Sequence, residues 1–358
     1  MKTTRALREL GQSIWLDNIT RQLLDSGTLQ RYIDELDVTG LTSNPTIFEK
    51  AIAASDMYDD QIAKAARAGK SPEDAFFELA TADLRRAADL FRPTYERTNG
   101  VDGYVSLEVS PLIAYDTATT ASEAKRLSQL GDRPNLYIKI PGTEQGNPAI
   151  EESIFGGVPI NVTLLFSPRQ TLASAEAYTR GLERRIEAGL SPRVESVASL
   201  FVSRWDPLTA DRLPKQLQLQ LGLAIGKQTY VEYTAFFASE RWQRLIEQGA
   251  RPQRLLFAST GVKDPSAPPE LYVLGLAAPD TVDTMPEDTL HAVGALEVPV
   301  HPLPTTAAEA GDVLAPFRDA GIDIDETALE LQKKGAETFV KSWTSLLDRI
   351  SGRVAAVA

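Results

Sequence analysis

The stretch NLYIKIPGTEQGNPAIEESIFGGVPINVTLLF (residues 135–166) contains one complete unit of the pattern that decides the fold of this chain. The apolar runs LYIKI (136–140) and VPINVTLLF (158–166) are typical of buried strands, and the segment 145–155 between them is typical of a helix. A strand, a helix and a second strand in this order favour two parallel strands joined by a helical crossover.

The same alternation runs through the chain and predicts eight strands. The eight runs are SIWLD (13–17), VTGLTSN (38–44), YVSLEVS (104–110), LYIKI (136–140), VPINVTLLF (158–166), SVASLFVSR (196–204), RLLFAST (254–260) and LYVLGLA (271–277). Helical segments are predicted at 18–36, 45–97 (several helices), 116–131, 145–155, 167–189 and 216–250. Eight such units favour an α/β fold of the closed (β/α)8 TIM barrel type. The alternative, a Rossmann-like sheet, lacks support because no G-x-G-x-x-G follows the first strand.

The whole chain, residues 1–358, is predicted to form one barrel domain with additional helices. The additions are expected between strands two and three and at 307–351, where C-terminal helices would pack on the barrel. The connection GVKDPSAPPE (261–270) is short and rich in proline, so we expect a tiny helix there or none. Strand eight is expected to contribute few polar residues.

The composition excludes several classes of protein. The net charge is −12, opposite in sign to that of a typical binder of nucleic acid or anionic membrane, so we expect neither partner. The absence of cysteine excludes disulfides and thiolate catalysis, and two histidines are too few for a multi-histidine metal site. No segment has the apolar run of a signal peptide or of a membrane helix, so a cytoplasmic location is predicted.

Lys139 interrupts the apolar strand LYIKI, between Ile138 and Ile140. The ordinary interpretation is a solvent-facing lysine. A strand of a parallel barrel is buried on both faces, however, so we expect Lys139 to point into the barrel or its mouth. Burial lowers the pKa of an amine, and a neutral amine in a dry pocket attacks carbonyl groups. Lys139 is therefore a candidate for forming a Schiff base.

Two carboxylates, Asp17 and Glu108, lie at or near the carboxyl ends of the predicted strands one and three, where barrel enzymes place their chemistry. A single carboxylate would be explained equally well as a structural partner of Lys139. Two of them suit Schiff-base chemistry, in which one base takes a hydroxyl proton during carbon–carbon cleavage and one acid/base dehydrates the carbinolamine. A glycosidase that uses the two carboxylates alone is a rival interpretation.

Other polar residues follow the same strand ends. Asn44 and Asn161 are explained either by helix capping or by hydrogen bonds to sugar hydroxyls, and Thr163 by the preference of β-branched residues for strands. Arg204 and Lys263 follow strands six and seven, where they would form an anion clamp; the alternative is simple solvation at the surface. The remaining polar residues at these ends are Thr42, Ser43, Ser199 and Ser259.

Taken in order, these motifs resemble the transaldolase family of Schiff-base aldolases in its longer bacterial type. SIWLDNITRQLLDSGTL and GLTSNPTIFEKAI resemble its first two strands with their loops, and YVSLEVSP, LYIKIPGT, INVTLLFS and SLFVSRWD its third to sixth strands. FASTGVKDP and DTMPEDTL fit the same type, so the resemblance covers nearly the whole chain. It implies a barrel enzyme of the pentose phosphate pathway that acts on sugar phosphates without a metal or organic cofactor. A monomer and a homodimer both stay open.

The resemblance also implies a role for each candidate residue. Lys139 would form the Schiff base, and Asp17 would take the hydroxyl proton during cleavage. Glu108 would act as the acid/base through a water molecule held by Thr163. Substrate contacts would come from Asn44, Thr42, Asn161, Ser199, Phe201, Arg204, Ser259 and Lys263, with the phosphate at Arg204 and Ser259.

Two positions bear on the substrate and the reaction. Relatives place a second arginine shortly after Ser259, whereas the nearest cation here is Lys263. Phe201 matches a phenylalanine typical of transaldolases, where related fructose-6-phosphate aldolases have a tyrosine, although it is also explained as ordinary packing. A phenyl ring has no hydroxyl to position water for hydrolytic release, so the predicted reaction is transfer of a dihydroxyacetone unit. Release of free dihydroxyacetone and a non-catalytic sugar-phosphate-binding barrel are the alternatives.

Overall fold

The computed structural model describes residues 1–357 and shows eight parallel strands in one sheet. The strands are β1 (Ser13–Leu16), β2 (Val38–Leu41), β3 (Val105–Glu108), β4 (Leu136–Pro141), β5 (Ile160–Leu165), β6 (Ser196–Phe201), β7 (Arg254–Ala258) and β8 (Val282–Met285). They pair in chain order from β3 to β8, and β8 then pairs with β1 and β1 with β2. A hydrogen bond from the Leu41 amide to the Tyr104 carbonyl (3.0 Å) brings β2 to the start of β3. The predicted (β/α)8 barrel is confirmed.

Seventeen α-helices accompany the strands within the described residues. They are α1 (Thr3–Leu10), α2 (Arg21–Asp25), α3 (Thr28–Glu35), α4 (Pro45–Ala53), α5 (Asp59–Arg67), α6 (Pro72–Arg97), α7 (Thr117–Gly131), α8 (Gly146–Phe155), α9 (Pro168–Glu187), α10 (Trp205–Thr209), α11 (Leu221–Phe237), α12 (Glu240–Glu247), α13 (Leu271–Gly275), α14 (Glu287–Gly294), α15 (Ala307–Ala310), α16 (Ala315–Asp319) and α17 (Ile324–Val357). The segment 45–97 contains three helices, as predicted, and 307–351 contains the expected C-terminal ones. Across residues 1–357, none of the helices combines the length and the hydropathy needed to cross a membrane.

The run LYVLGLA (271–277), predicted as strand eight, is not a strand. Its first five residues form α13, the segment 261–270 before it contains no helix, and β8 begins only at Val282. A short apolar run fits a buried strand and a buried helix equally well, and here the helix forms part of the crossover that two parallel strands require. The prediction of few polar residues on strand eight was wrong for the same reason, because β8 carries Asp283 and Thr284.

Aromatic side chains fill the barrel interior beneath its carboxyl end. The rings of Trp15 and Tyr137 lie 6.2 Å apart, and Tyr137 stacks on Tyr104 with ring centres 4.0 Å apart. Gly40 leaves room for the indole, because a Cβ there would lie 2.6 Å from Trp15 Nε1. Side chains two positions apart on a strand point the same way, so these rings form a floor under Lys139.

The C-terminal helix α17 lies against the carboxyl ends of the central strands. Its Gln332 donates hydrogen bonds to the carbonyls of Gly142 (3.0 Å) and Leu164 (2.9 Å), at the ends of β4 and β5. Further along the helix, Thr338 and Phe339 line the cavity at the mouth of the barrel. Helix α17 therefore supplies one wall of the candidate site.

Candidate active site

Lys139 is buried in the barrel, with 4% of its surface exposed. Its Nζ donates a hydrogen bond to the carbonyl of Ser43 (2.8 Å), just beyond β2, and lies 3.1 Å from Glu108 Oε2 on β3. These contacts cross from β4 over two neighbouring strands, which requires the side chain to point inward. The solvent-facing interpretation is therefore wrong, and the amine lies where the sequence predicts it.

Glu108 is the partner of Lys139 in the register of β3 and β4. Burial raises the pKa of its carboxyl above the ordinary value, and the charge of Lys139 acts in the opposite direction. Glu108 Oε1 has no hydrogen-bond partner among the described residues, and the hydroxyl of Thr163 has none either. Buried polar atoms of this kind are ordinarily satisfied by water. Glu108 and Thr163 together suit an acid/base that works through a bound water molecule.

Asp17 lies one residue beyond β1 and lines the cavity at the mouth of the barrel. Burial raises the pKa of its carboxyl, and Lys139 is the strongest of the cations that oppose this rise. Asp17 Oδ1 accepts a hydrogen bond from the hydroxyl of Thr42 (2.7 Å), and Thr42 Oγ1 lies 2.7 Å from Thr284 Oγ1. This chain of hydroxyls holds one oxygen of the carboxylate and leaves the other for a substrate.

Asn44 and Asn161 have different kinds of hydrogen-bond partner. Asn44 accepts a hydrogen bond from the amide of Ile47 (3.1 Å) and so caps α4, as one of its two interpretations predicts, and it also lines the cavity. Asn161 lies within β5 and caps no helix. Its amide group donates to Ser106 Oγ (3.1 Å), and its Oδ1 accepts a hydrogen bond from the hydroxyl of Ser199 (2.7 Å). Both ends of the Asn161 amide are therefore held by the protein.

The guanidinium of Arg204 lies beside two aromatic rings. Its guanidinium carbon lies 5.0 Å from the ring centre of Phe201 and 6.0 Å from that of Phe339. Burial lowers the pKa of this guanidinium, and no hydrogen bond to a described residue contributes to that pKa. A planar donor held between two rings is well suited to bind an oxyanion.

Two lysines and a serine complete this side of the cavity. Ser259, just after β7, has φ of 56°, in the left-handed region, and its Oγ lies 3.0 Å from Ser203 Oγ. The pKa of Lys263 is lowered, first by partial enclosure of its amine and then by repulsion from Arg204. Lys50 of α4 also lines the cavity and repels Lys263. Three cations therefore surround one space, which favours an anionic ligand.

The candidate residues share one cavity of about 320 Å³ at the carboxyl ends of the strands. Ten of the predicted residues line it: Asp17, Thr42, Asn44, Lys139, Thr163, Ser199, Phe201, Arg204, Ser259 and Lys263. Glu108 and Asn161 are buried in the barrel beside it. Lys50, Thr284 and Phe339 also line it and were not predicted. Four larger cavities among the described residues, of about 640, 580, 470 and 720 Å³, contain none of the predicted site residues.

A (β/α)8 barrel with a buried amine, two carboxylates and an unpaired guanidinium at its mouth fits a class of enzyme that attacks anionic carbonyl compounds through a Schiff base. Comparison with known protein families gives a specific match. The sequence profile of the transaldolase/fructose-6-phosphate aldolase family matches residues 14–350. The chain belongs to this family.

Individual relatives agree over nearly their full lengths. The chain is 45% identical to a transaldolase of Thermobifida fusca over 369 aligned residues, which covers 98% of each chain. It is 44% identical to a transaldolase of Saccharopolyspora erythraea, with 96% of each chain covered. It is 42% identical to a transaldolase of Thiobacillus denitrificans, with 98% of this chain and 100% of the relative covered.

Proposed function

We propose that this chain is a transaldolase, a transferase of the pentose phosphate pathway. It transfers a dihydroxyacetone unit reversibly from a ketose phosphate, sedoheptulose 7-phosphate or fructose 6-phosphate, to an aldose phosphate, glyceraldehyde 3-phosphate or erythrose 4-phosphate. Relatives that share 42–45% of their residues with this chain carry that name. The observation that supports the chemistry most strongly is the buried pair of Lys139 and Glu108 beside Asp17.

The phosphate of the substrate binds at the side of the cavity that carries the cations. Arg204 provides a fork of N–H donors, and Ser259 provides a hydroxyl. Lys263 stands in place of the second arginine of relatives, and Lys50 adds a further positive charge. Because both lysines are mobile point charges, they neutralise the dianion without fixing its orientation. Arg204 therefore sets the distance between the phosphate and the amine.

The Schiff base forms at Lys139. Glu108, whose pKa is raised by burial, takes a proton from the lysine and leaves a neutral amine. The amine nitrogen attacks the C2 carbonyl, and the carbonyl oxygen becomes the hydroxyl of a carbinolamine. Glu108 then returns a proton through the water at Thr163, so that the hydroxyl leaves as water and an iminium remains.

Carbon–carbon cleavage follows at the iminium. Asp17 takes the proton of the C4 hydroxyl, the C4–O bond becomes a carbonyl, and the C3–C4 bond breaks. Its electron pair moves to the iminium, which becomes a neutral enamine bound to Lys139. The aldose phosphate leaves, the acceptor aldehyde enters, and the same steps in reverse form the new bond. Hydrolysis of the second iminium frees the product.

Two residues hold the three-carbon unit during the exchange. The amide of Asn161 is fixed by Ser106 and Ser199, and Asn44 is fixed by its cap on α4. Rigid polar groups of this kind bind hydroxyls at little cost in conformational entropy. They keep the enamine in place until the acceptor arrives.

Release of free dihydroxyacetone is the second candidate reaction, and Phe201 disfavours it. Its ring packs beside Arg204 and carries no hydroxyl that could hold a hydrolytic water. A carboxylate-pair glycosidase would leave the buried amine without a role. A non-catalytic barrel would leave unexplained why two carboxylates converge on one amine, since paired buried charges are costly.

The test is whether turnover of fructose 6-phosphate needs an acceptor. Glyceraldehyde 3-phosphate is measured with and without erythrose 4-phosphate. We expect rapid formation only with the acceptor, and formation at the same rate without it would make the chain an aldolase instead. Phe201→Tyr is the matched control, because the added hydroxyl is expected to raise the acceptor-independent rate. The cytoplasmic location and the choice between monomer and homodimer stay predictions.

A further inference from the structure

One buried carboxyl group has no role in the proposed reaction. Asp283 of β8 is 0% exposed, and its partners in register are the apolar residues Ile14 of β1 and Phe257 of β7. Its Oδ2 has no hydrogen-bond partner among the described residues. Its Oδ1 lies 3.0 Å from the hydroxyl oxygen of Thr260. An ionised carboxylate in such a place would be costly, because no cation among the described residues compensates its charge.

The contacts of the Thr260 hydroxyl bear on whether the carboxyl of Asp283 carries a proton. The same oxygen is 3.0 Å from Asp283 Oδ1 and 3.0 Å from the carbonyl of Thr284. A threonine hydroxyl has one proton to donate, and a carbonyl oxygen can only accept. If Thr260 donates to Thr284, the contact with Asp283 is a hydrogen bond only when the carboxyl itself carries a proton. The three groups then form one chain, in which Asp283 donates to Thr260 and Thr260 donates to the carbonyl of Thr284.

We propose that Asp283 is held as a neutral carboxylic acid that donates a hydrogen bond to Thr260 and so positions the loop that begins at Ser259. The role in substrate binding rests on the proposed function, in which Ser259 and Lys263 hold the phosphate. The protonation of Asp283 does not depend on that function. Asp283 is thus a positioning residue, since it touches no substrate.

The surroundings of Asp283 support the neutral form. Burial raises the pKa of this carboxyl from its usual 3.8 to about 7, and the only opposing influence is the hydrogen bond with Thr260. The charged side chains of the neighbouring elements are committed elsewhere or exposed: Arg254 bonds to Ser13 and Thr281, Arg5 and Arg8 pair with Asp37, Glu287 bonds to Tyr32 and Asn18, and Asp288 and His291 are exposed. Carboxylic acids in apolar sites are known to stay neutral and to act as donors.

The loop that begins at Ser259 has a constrained backbone on both sides of Thr260, so the hydrogen bond from Asp283 to Thr260 helps to hold it in place. Ser259 has φ of 56°, which is unfavourable for a residue with a side chain. Gly261 packs so closely on the residue before α14 that a Cβ would lie 2.9 Å from Pro286 Cγ. Thr260, between them, is 0% exposed and joins the loop to β8. Loss of its donor would free Ser259 and Lys263 to move.

Two variants test the proposal. In Asp283→Asn the amide N–H replaces the acid O–H as the donor to Thr260, whereas Asp283→Leu has the same branching at Cγ and no donor. With fructose 6-phosphate, we expect KM to rise roughly fivefold in the leucine variant, the worth of one hydrogen bond, with a smaller change in kcat and rescue by asparagine. Equal KM values for the two variants would overturn the positioning role.

Protonation is measured separately and without substrate. The infrared difference spectrum of the wild type against Asp283→Asn should contain the carbonyl band of a protonated carboxylic acid at pH 6. The folded state binds more protons than the unfolded state between pH 3.8 and about 7. Rising pH should therefore lower the Tm of the wild type relative to Asp283→Asn across this window, with a constant difference above it. Absence of the band, or a difference in Tm that does not vary with pH, would overturn the neutral acid even if the enzyme is a transaldolase.

Discussion

Lys139 Nζ lies 3.1 Å from Glu108 Oε2, and the two residues are paired in register on adjacent strands. Their side chains are 5% and 3% exposed, so bulk solvent screens neither charge. Transfer of one proton from the amine to the carboxylate removes both charges and with them the cost of burying them. In the proposed mechanism, a proton transfer over this single short contact makes the amine nucleophilic.

Glu108→Gln removes the proton acceptor and keeps the shape of the side chain. We expect kcat to fall by about 10²–10⁴, the usual worth of a general acid/base. The rate of Schiff-base formation should fall with it, because both attack and dehydration need Glu108. Steady-state kinetics and the rate of borohydride trapping measure the two effects. Glu78→Gln, at a surface glutamate paired with Lys70, is the control, and an unchanged kcat in Glu108→Gln would contradict the assigned role.

Asp17→Asn should separate Schiff-base formation from cleavage. The iminium still forms, but no base takes the C4 hydroxyl proton, so the C3–C4 bond stays intact. Borohydride treatment with fructose 6-phosphate should then trap the whole hexose phosphate on the protein, where the wild type traps the three-carbon unit. Mass spectrometry of the intact protein distinguishes the two adducts. A three-carbon adduct in Asp17→Asn would show that another group is the base.

Arg204→Gln should weaken binding of the phosphate. The loss of hydrogen bonds to a charged group is expected to lower kcat/KM for fructose 6-phosphate by roughly 10- to 100-fold, with much less effect on unphosphorylated fructose. Lys50→Gln and Lys263→Gln should have smaller effects that fade in high salt, because exposed charges are screened. Arg169→Gln, at an exposed arginine paired with Asp325, is the control. Equal losses with both sugars would place Arg204 outside the phosphate site.

Gly40→Ala should destabilise the barrel. Its Cβ would lie 2.6 Å from Trp15 Nε1 and 2.7 Å from the carbonyl of Tyr104, and neither atom belongs to a flexible chain end. Overpacking of this kind costs about 1–3 kcal/mol in the free energy of unfolding, which chemical denaturation measures. Gly352→Ala in α17 meets nothing within 4 Å and should be neutral or stabilising by up to ~1 kcal/mol. Equal effects of the two substitutions would mean that Gly40 does not make room for the indole.

The sequence predicted the barrel because seven of its strands correspond to apolar runs that alternate with helical segments. It failed at strand eight, because VDTM is short and half polar while LYVLGLA is longer and wholly apolar. The apolar run owes its composition to burial on the outside of the barrel, where Tyr272 and Val273 are covered. Hydrophobicity reports burial and does not by itself distinguish a strand from a five-residue helix.

The same error concealed two residues of β8. Thr284 extends the hydroxyl chain from Asp17, and Asp283 lies beside Thr260, the residue after Ser259. Lys50 was within the quoted motif GLTSNPTIFEKAI, six residues after Asn44, and only the path of α4 over the cavity reveals it. We searched for polar residues at the ends of predicted strands. A side chain that reaches the cavity from the second turn of a helix, as Lys50 does, is not found in this way.

Reduction with borohydride in the presence of fructose 6-phosphate, followed by peptide mapping, tests the central assignment most directly. The protein should gain the mass of one reduced dihydroxyacetone unit, on the peptide that contains Lys139, and Lys139→Met should gain none. An unchanged mass, or a label on Lys50 or Lys263 in place of Lys139, would contradict the account.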